Sequence, residues 1–134
     1  MSHVNVQSFK VLTTLAAQRF VAMVSSTADT VQYPESGQNF PVGISIDSVV
    51  DTTSALPCAG VGSIAKVYFN DTLAAGQPCK SDTSGRAVAF TLSNTTTSLT
   101  LTSCYAGILV GATVAATGTI ADVFFCPGFA RTSA

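Results

Sequence analysis

Residues that favour turns recur about every 8 to 12 positions after Arg19, and they divide the chain into short apolar segments. Tyr33-Pro34-Glu35-Ser36-Gly37 is one of these breaks, and Pro57-Cys58-Ala59-Gly60 is another. Turns at this spacing are typical of antiparallel sheets, because a tight turn returns the chain to a neighbouring strand. The sequence therefore predicts a mainly β fold, a small antiparallel β-barrel or sandwich.

Alternation within the segments supports this prediction. From Val42 to Asp47, apolar residues alternate with small or polar ones. Because successive side chains of a strand point to opposite faces, a period of two indicates a half-buried strand. Asp82 and Gly85 suit the first and fourth positions of a type I turn, which predicts a hairpin. The predicted strands are Phe20–Val24, Val42–Val50, Gly62–Asn70, Pro78–Lys80, Arg86–Leu92, Ser98–Cys104, Ile108–Val114 and Thr119–Cys126.

The first 18 residues show little sustained periodicity, and we interpret 1–18 as an extended N-terminal arm before a single β domain at 19–134. Residues 11–19 have the pattern of a short helix, which two threonines weaken. Apolar side chains on an arm are stable in water only when another surface buries them, either that of the chain's own domain or that of a partner. The apolar residues of the arm that we select as candidate contacts are Phe9, Val11, Leu12 and Leu15.

Charge is scarce and balanced. Only 10% of the residues are charged, against about a quarter in a typical soluble domain. The six Lys and Arg residues are scattered among seven Asp and Glu residues, so they form no basic stripe for phosphate groups. No run of about 20 apolar residues occurs. We therefore expect no direct nucleic-acid partner and no membrane-spanning helix.

The residues needed for catalysis are equally scarce. The single histidine, His3, lies near the start of the chain, and acid–base chemistry near neutral pH draws most often on histidine. The segment Gly43-Ile44-Ser45-Ile46-Asp47 lacks the second glycine of a nucleophile elbow. We expect no enzyme, no catalytic residue and no cofactor. A hydrolase with a carboxylate pair stays as the third alternative, with candidates Asp47, Asp51, Asp71, Asp82 and Asp122.

The four cysteines lie too far apart in sequence for a zinc knuckle, which needs closely spaced ligand pairs such as Cys-x-x-Cys. We therefore expect no metal site. In an oxidising compartment they allow two disulfides by any of three connectivities. We favour free thiols that serve as small buried apolar residues in strands. The residues are Cys58, Cys79, Cys104 and Cys126.

Four segments resemble the small cement, or decoration, proteins of tailed-phage capsids. Gln18–Val24 and Gly62–Asn70 are similar to strands of that family, and Ala74–Ala87 resembles the segment that joins its two central strands. Ala106–Phe125 is similar to its closing turn and strand. Gln77 stands where the family pattern has an acidic residue.

This resemblance implies a compact, β-tulip-like barrel or sandwich that binds the outside of an icosahedral shell, usually as a homotrimer. It implies a protein that is made in the host cytoplasm, joins the virion, and stabilises contacts between subunits of its partner, the major capsid protein. We expect Phe9, Val11, Leu12 and Leu15 to make the capsid or inter-subunit contacts.

The alternative function is a sugar- or receptor-binding β-module of a head fibre or tail. Such modules stack sugars on exposed aromatic rings, and this chain has eleven aromatic residues but no tryptophan. The plausible platforms are Tyr33, Tyr68 and Tyr105.

Overall fold

The computed structural model describes residues 5–35, 40–49, 53–90 and 101–132, which contain ten strands and no helix. The strands are β1 (Val6–Val11), β2 (Phe20–Met23), β3 (Thr30–Gln32), β4 (Pro41–Ser45), β5 (Leu56–Ala59), β6 (Ile64–Tyr68), β7 (Pro78–Ser81), β8 (Ala87–Ala89), β9 (Leu101–Leu109) and β10 (Ile120–Thr132).

The first five strands close into a barrel in the order β1-β3-β2-β4-β5. All neighbouring pairs are antiparallel except β1 and β3, which run parallel. Closure leaves the barrel no free sheet edge. Apolar side chains fill its interior, and the buried ones are Val11, Leu15, Val21, Val31, Val49, Leu56 and Cys58.

The other five strands form a second sheet in the order β6-β10-β9-β7-β8, in which all neighbours are antiparallel. A single parallel bridge between Phe69 and Ala87 links the two outer strands of this sheet. A β-bulge between Phe125 and Gly128 shifts the register of β10 against β9. The closed barrel with an attached sheet confirms the predicted small β-barrel or sandwich class.

The barrel and the second sheet share one apolar core. Phe20 of β2, Ile44 of β4 and Ala59 of β5 belong to the same buried cluster as residues of the second sheet, among them Val67 and Phe125. The rings of Phe20 and Phe125 lie 6.2 Å apart between centroids. The outer wall of the barrel therefore packs against the inner face of the second sheet, as one layer on another.

The predicted hairpin between β7 and β8 is confirmed, and it holds this packing in place. The Gly85 amide donates to the Asp82 carbonyl at 3.1 Å. One carboxylate oxygen of Asp82 accepts from the amides of Ser84 and Arg86, and the other pairs with the Arg86 Nε, each at 2.9 Å. The Gly85 carbonyl then accepts from the Phe20 amide at 2.7 Å, which joins the turn to the barrel.

A buried hydroxyl fixes the chain just before β2. Ser45 is 1% exposed, and its Oγ accepts from the Arg19 amide at 3.1 Å and donates to the Ala16 carbonyl at 2.7 Å. A buried polar group is stable only when it finds such partners. Ser45 therefore holds the segment that connects β1 to β2 against β4.

The segment predicted as an arm differs from that prediction, because its residues 6–11 form a barrel strand. Strand β1 pairs with both β3 and β5, and without it the barrel has a gap. The predicted short helix at 11–19 is wrong as well. Leu15 instead exchanges two backbone hydrogen bonds with Val49, and Gln18 has a φ of 63°, which no α-helix contains.

One strand replaces the break predicted between Ser98–Cys104 and Ile108–Val114. Strand β9 runs from Leu101 to Leu109 without interruption and ends there, so residues 110–114 lie after the strand. Gly107 lies within this strand, and a Cβ there would collide with the Phe124 carbonyl on β10. Residues 91, 92 and 98–100 of the predicted strands lie outside the described residues, as do His3, Val50 and Asp51.

We predict that Gly85→Ala destabilises the protein more than Gly76→Ala. Both glycines have positive φ, 74° and 83°, so both substitutions carry a backbone strain of roughly 1 to 2 kcal/mol. Only at Gly85 would the added Cβ meet a neighbour, 2.6 Å from the Phe20 carbonyl oxygen, whereas nothing lies within 4 Å at Gly76. Overpacking adds about 1 to 3 kcal/mol. Equal urea midpoints for the two variants would contradict the packing described at Gly85.

Candidate interaction surfaces

Three of the five carboxylates that were candidates for a catalytic pair have structural partners, whereas Asp47 is exposed and Asp51 lies outside the described residues. Asp71 accepts from the amides of Thr72 and Ala89, at 2.8 and 3.2 Å. Asp82 closes the β7–β8 turn, and Asp122 forms an ion pair with Lys66. Within the described ranges, no group of three or more His, Cys, Asp or Glu residues is placed to hold a metal ion. These carboxylates stabilise turns and strand pairs.

Burial holds the thiols in their neutral form. Desolvation raises the pKa of Cys58 to about 12, from an ordinary value of 9.0. The pKa of Cys79 also rises to about 12, chiefly through burial, with a smaller contribution from the neighbouring Cys126. Burial raises the pKa of Cys104 and Cys126 in the same direction. Because the thiolate is the nucleophile and the metal ligand, these side chains behave as small apolar residues near neutral pH.

The structure separates the four predicted contact residues into two groups. Val11 and Leu15 are 5% and 3% exposed and belong to the barrel core, so the chain's own domain covers them. Phe9 is half-buried and packs against the same core. Leu12 is 49% exposed, so it is the one of the four that a partner reaches without disturbing the fold.

An open groove of about 440 Å³ lies on the barrel, and Gln32 is one of the residues that line it. The Leu12 amide donates to the Val31 carbonyl at 3.4 Å, so Leu12 lies next to β3 at the residue that precedes Gln32. Met23 and Phe40 expose 38% and 39% of their surface there. We call this surface the barrel groove, and its lining residues are Ala22, Met23, Ser25, Gln32, Glu35, Phe40 and Val42.

The barrel groove combines apolar contact area with a small polar pair. The Gln32 side-chain amide donates to the Glu35 carboxylate at 3.0 Å, on the exposed surface of the barrel. Binding sites commonly pair an apolar lining with a few polar groups that fix orientation. Sequence reasoning missed this surface, because its residues come from strands β2, β3 and β4 and from the segments beside them, and only barrel closure brings them together.

The three tyrosines do not form one platform. The Tyr33 oxygen accepts from the Ala16 amide at 2.7 Å, within the barrel. The Tyr68 ring on β6 lies under Arg19, whose Cζ is 4.5 Å from the ring centroid. Tyr105 on β9 meets Phe90 edge to face at 5.9 Å. Each ring is half-buried against its own neighbours. The structure therefore brings none of the predicted sugar platforms together.

No helix in the part of the chain that the structure describes has the length and apolar character to cross a membrane.

Comparison with models of protein families gives no match, and no curated protein matches the sequence either. Among solved structures, the fold is similar to the crystal structure of the head fibre gp8.5 N base of bacteriophage phi29. The likeness has a TM-score of 0.65 and covers 100% of this chain and 98% of that chain, at 12% sequence identity. At this identity, the likeness shows that the two chains share a fold.

We predict that the free energy of unfolding falls as the pH rises from about 9 to about 12. The thiols of Cys58 and Cys79 lose their protons near pH 9 when unfolded and near pH 12 when folded, so the unfolded chain binds fewer protons in between. Urea unfolding at several pH values measures this loss. The Cys58→Ala/Cys79→Ala variant is the control, because it lacks both thiols. A native protein whose pH dependence equals that of the variant would contradict the prediction.

Proposed function

We propose that this chain is a non-enzymatic structural protein of a phage head, bound to the outer surface of an icosahedral capsid through the major capsid protein. The observation that carries the proposal is the fold, which is similar over the whole chain to the base of a head fibre. The sequence motifs that resemble capsid decoration proteins independently support a role on the head. The proposal includes assembly in the host cytoplasm as a homotrimer, without direct contact to nucleic acid or membrane.

The distribution of charge suits a protein displayed in many copies. The formal net charge is −1, and 10% of the residues are charged. Neighbouring copies on a shell repel one another little when each carries little net charge. The closed barrel likewise has no free edge at which a strand of a neighbouring copy could pair nonspecifically.

The barrel groove and the adjoining Leu12 are the surface that we assign to the capsid contact. Exposed apolar side chains lie together there, with Met23 and Phe40 in the groove and Leu12 next to β3. Clustered apolar side chains with a polar border are typical of protein interfaces. Of the contact residues expected from the sequence, this assignment retains Leu12, which is 49% exposed, and the half-buried Phe9 on the preceding strand β1.

Two finer roles fit a head protein. One is that of a cement protein, which stabilises contacts between major capsid subunits, and the motif resemblance supports it. The other is that of a base that attaches a fibre or receptor-binding module to the head, and the likeness to a head fibre base favours it. The two roles differ in what happens to a head that lacks the protein: loss of cement weakens the shell, whereas loss of a base removes an appendage.

We predict that the protein lies on the surface of virions produced from the genome that encodes it. Immunogold labelling of intact particles with an antibody against this chain should decorate the head. Labelled tails with bare heads, or no labelling at all, would overturn the proposal. Heads made without the protein then distinguish the two finer roles. If they release DNA at a lower temperature than complete heads, the protein is a cement protein. If the release temperature is unchanged, the protein is a base.

We predict that Leu12→Asp weakens binding to heads that lack the protein. A charge placed in an interface loses apolar contact and needs desolvation, and an interface residue of this kind contributes about 1 kcal/mol or more, roughly fivefold in affinity. Val61→Asp is the matched control, because Val61 is 62% exposed in the β5–β6 connection, away from the barrel groove. Equal binding by both variants in a cosedimentation assay would remove Leu12 from the contact.

A further inference from the structure

The outer face of the second sheet, which points away from the barrel, is more apolar than a solvent-facing sheet normally is. In an antiparallel sheet with one covered face, the other face is usually polar. Val123 and Leu109 point to the inner face and are fully buried. On the outer face beside them, Ile120 and Val110 expose 45% and 50% of their surface.

Four half-buried side chains form a continuous apolar row on this outer face. Phe124 of β10 pairs with Ile64 of β6 on one side and with Ile108 of β9 on the other. Ile108 in turn pairs with Pro78 of β7. Directly paired residues of neighbouring strands share a face and touch, so the row crosses four strands without a gap. We call these four residues the outer sheet row.

An exposed ion pair borders the outer sheet row. Lys66 and Asp122 are paired in the β6–β10 register, directly beside Ile64 and Phe124, and Lys66 Nζ lies 3.3 Å from Asp122 Oδ1. Their side chains are 64% and 37% exposed. Lys80 lies on the same face, on the other side of the row and outside this pair.

The ion pair indicates what kind of partner fits the face. A partner of a single charge sign would satisfy one member of the pair and leave the other opposed by a like charge or unpaired in the interface, which is costly. A second copy of the same face carries both signs, so Lys66 of each copy can meet Asp122 of another. The face is therefore complementary to itself in both charge and apolar character.

We propose that copies of this chain associate through the outer sheet row, with Lys66 and Asp122 exchanging partners between copies. This inference deepens the proposed function, on which it rests for the expectation that several copies act together on the head. The outer sheet row faces away from the barrel, so association through it leaves the barrel groove uncovered.

A charge-reversal experiment tests the exchange between copies. Lys66→Glu gives a face with two acidic groups at the pair, and Asp122→Lys gives a face with two basic groups. The dissociation constant for self-association of each variant alone should be at least tenfold higher than that of the wild type, because like charges then face each other. An equimolar mixture of the two should regain association. Sedimentation velocity of the full chain, with one variant fluorescently labelled, measures all three samples.

Phe124→Asp provides a second and independent variant. A charge in the middle of the outer sheet row should abolish association, while circular dichroism and the urea midpoint show whether the variant is folded. Val61→Asp is the control that adds the same charge at an exposed site outside the row, and its association should match that of the wild type. If Phe124→Asp fails to fold, the charge-reversal mixture still decides the question.

Several outcomes would overturn the inference. One is a wild type that stays monomeric at concentrations up to about 1 mM, because its dissociation constant would then be higher than those of specific complexes. Another is a mixture that associates no better than either variant alone. If the wild type is monomeric and Phe124→Asp binds heads poorly, the face belongs to the capsid contact instead. Because self-association is measured without heads, its failure is distinct from a failure of the virion labelling.

Discussion

The burial of β2 on both of its faces is the constraint on which the rest of the structure depends. Val21 points into the barrel and Phe20 points into the core shared with the second sheet, and both are fully buried. A strand covered on one face alone could belong to the barrel or to the sheet, but β2 holds the two layers together. The Phe20 amide adds a hydrogen bond to Gly85, so the hairpin of the second sheet is fixed at the same point.

Two of the motifs that carry the resemblance to capsid decoration proteins meet at this joint. Gln18–Val24 contains β2, and Ala74–Ala87 contains the turn that ends at Gly85. Residues 25–73 separate the two segments in sequence, yet a Cβ on Gly85 would touch Phe20, Tyr33 and Arg19. The residue types in these motifs are therefore explained by how two layers join. The resemblance thus bears on the fold.

The sequence predicted those parts of the fold that local chemistry determines. Alternation identified β4 and β6, and the Asp82 to Gly85 spacing identified a turn that the structure confirms. Strand β3 was missed because three residues are too few to show a period. The role of β1 was missed because its cover comes from β3 and β5, distant in sequence. The barrel groove depends on that same closure, so no local pattern could have indicated it.

The way the two layers pack also determines which surfaces can serve a partner. The barrel covers the inner face of the second sheet, and the sheet covers the part of the barrel's outer wall that contains Phe20, Ile44 and Ala59. The barrel groove on one layer and the outer sheet row on the other both stay accessible, and a partner on one does not cover the other. A protein that attaches to a shell and also contacts its own copies needs two separate surfaces of this kind. A barrel alone has closed edges and one outer wall, so the added sheet is the element that supplies the second surface.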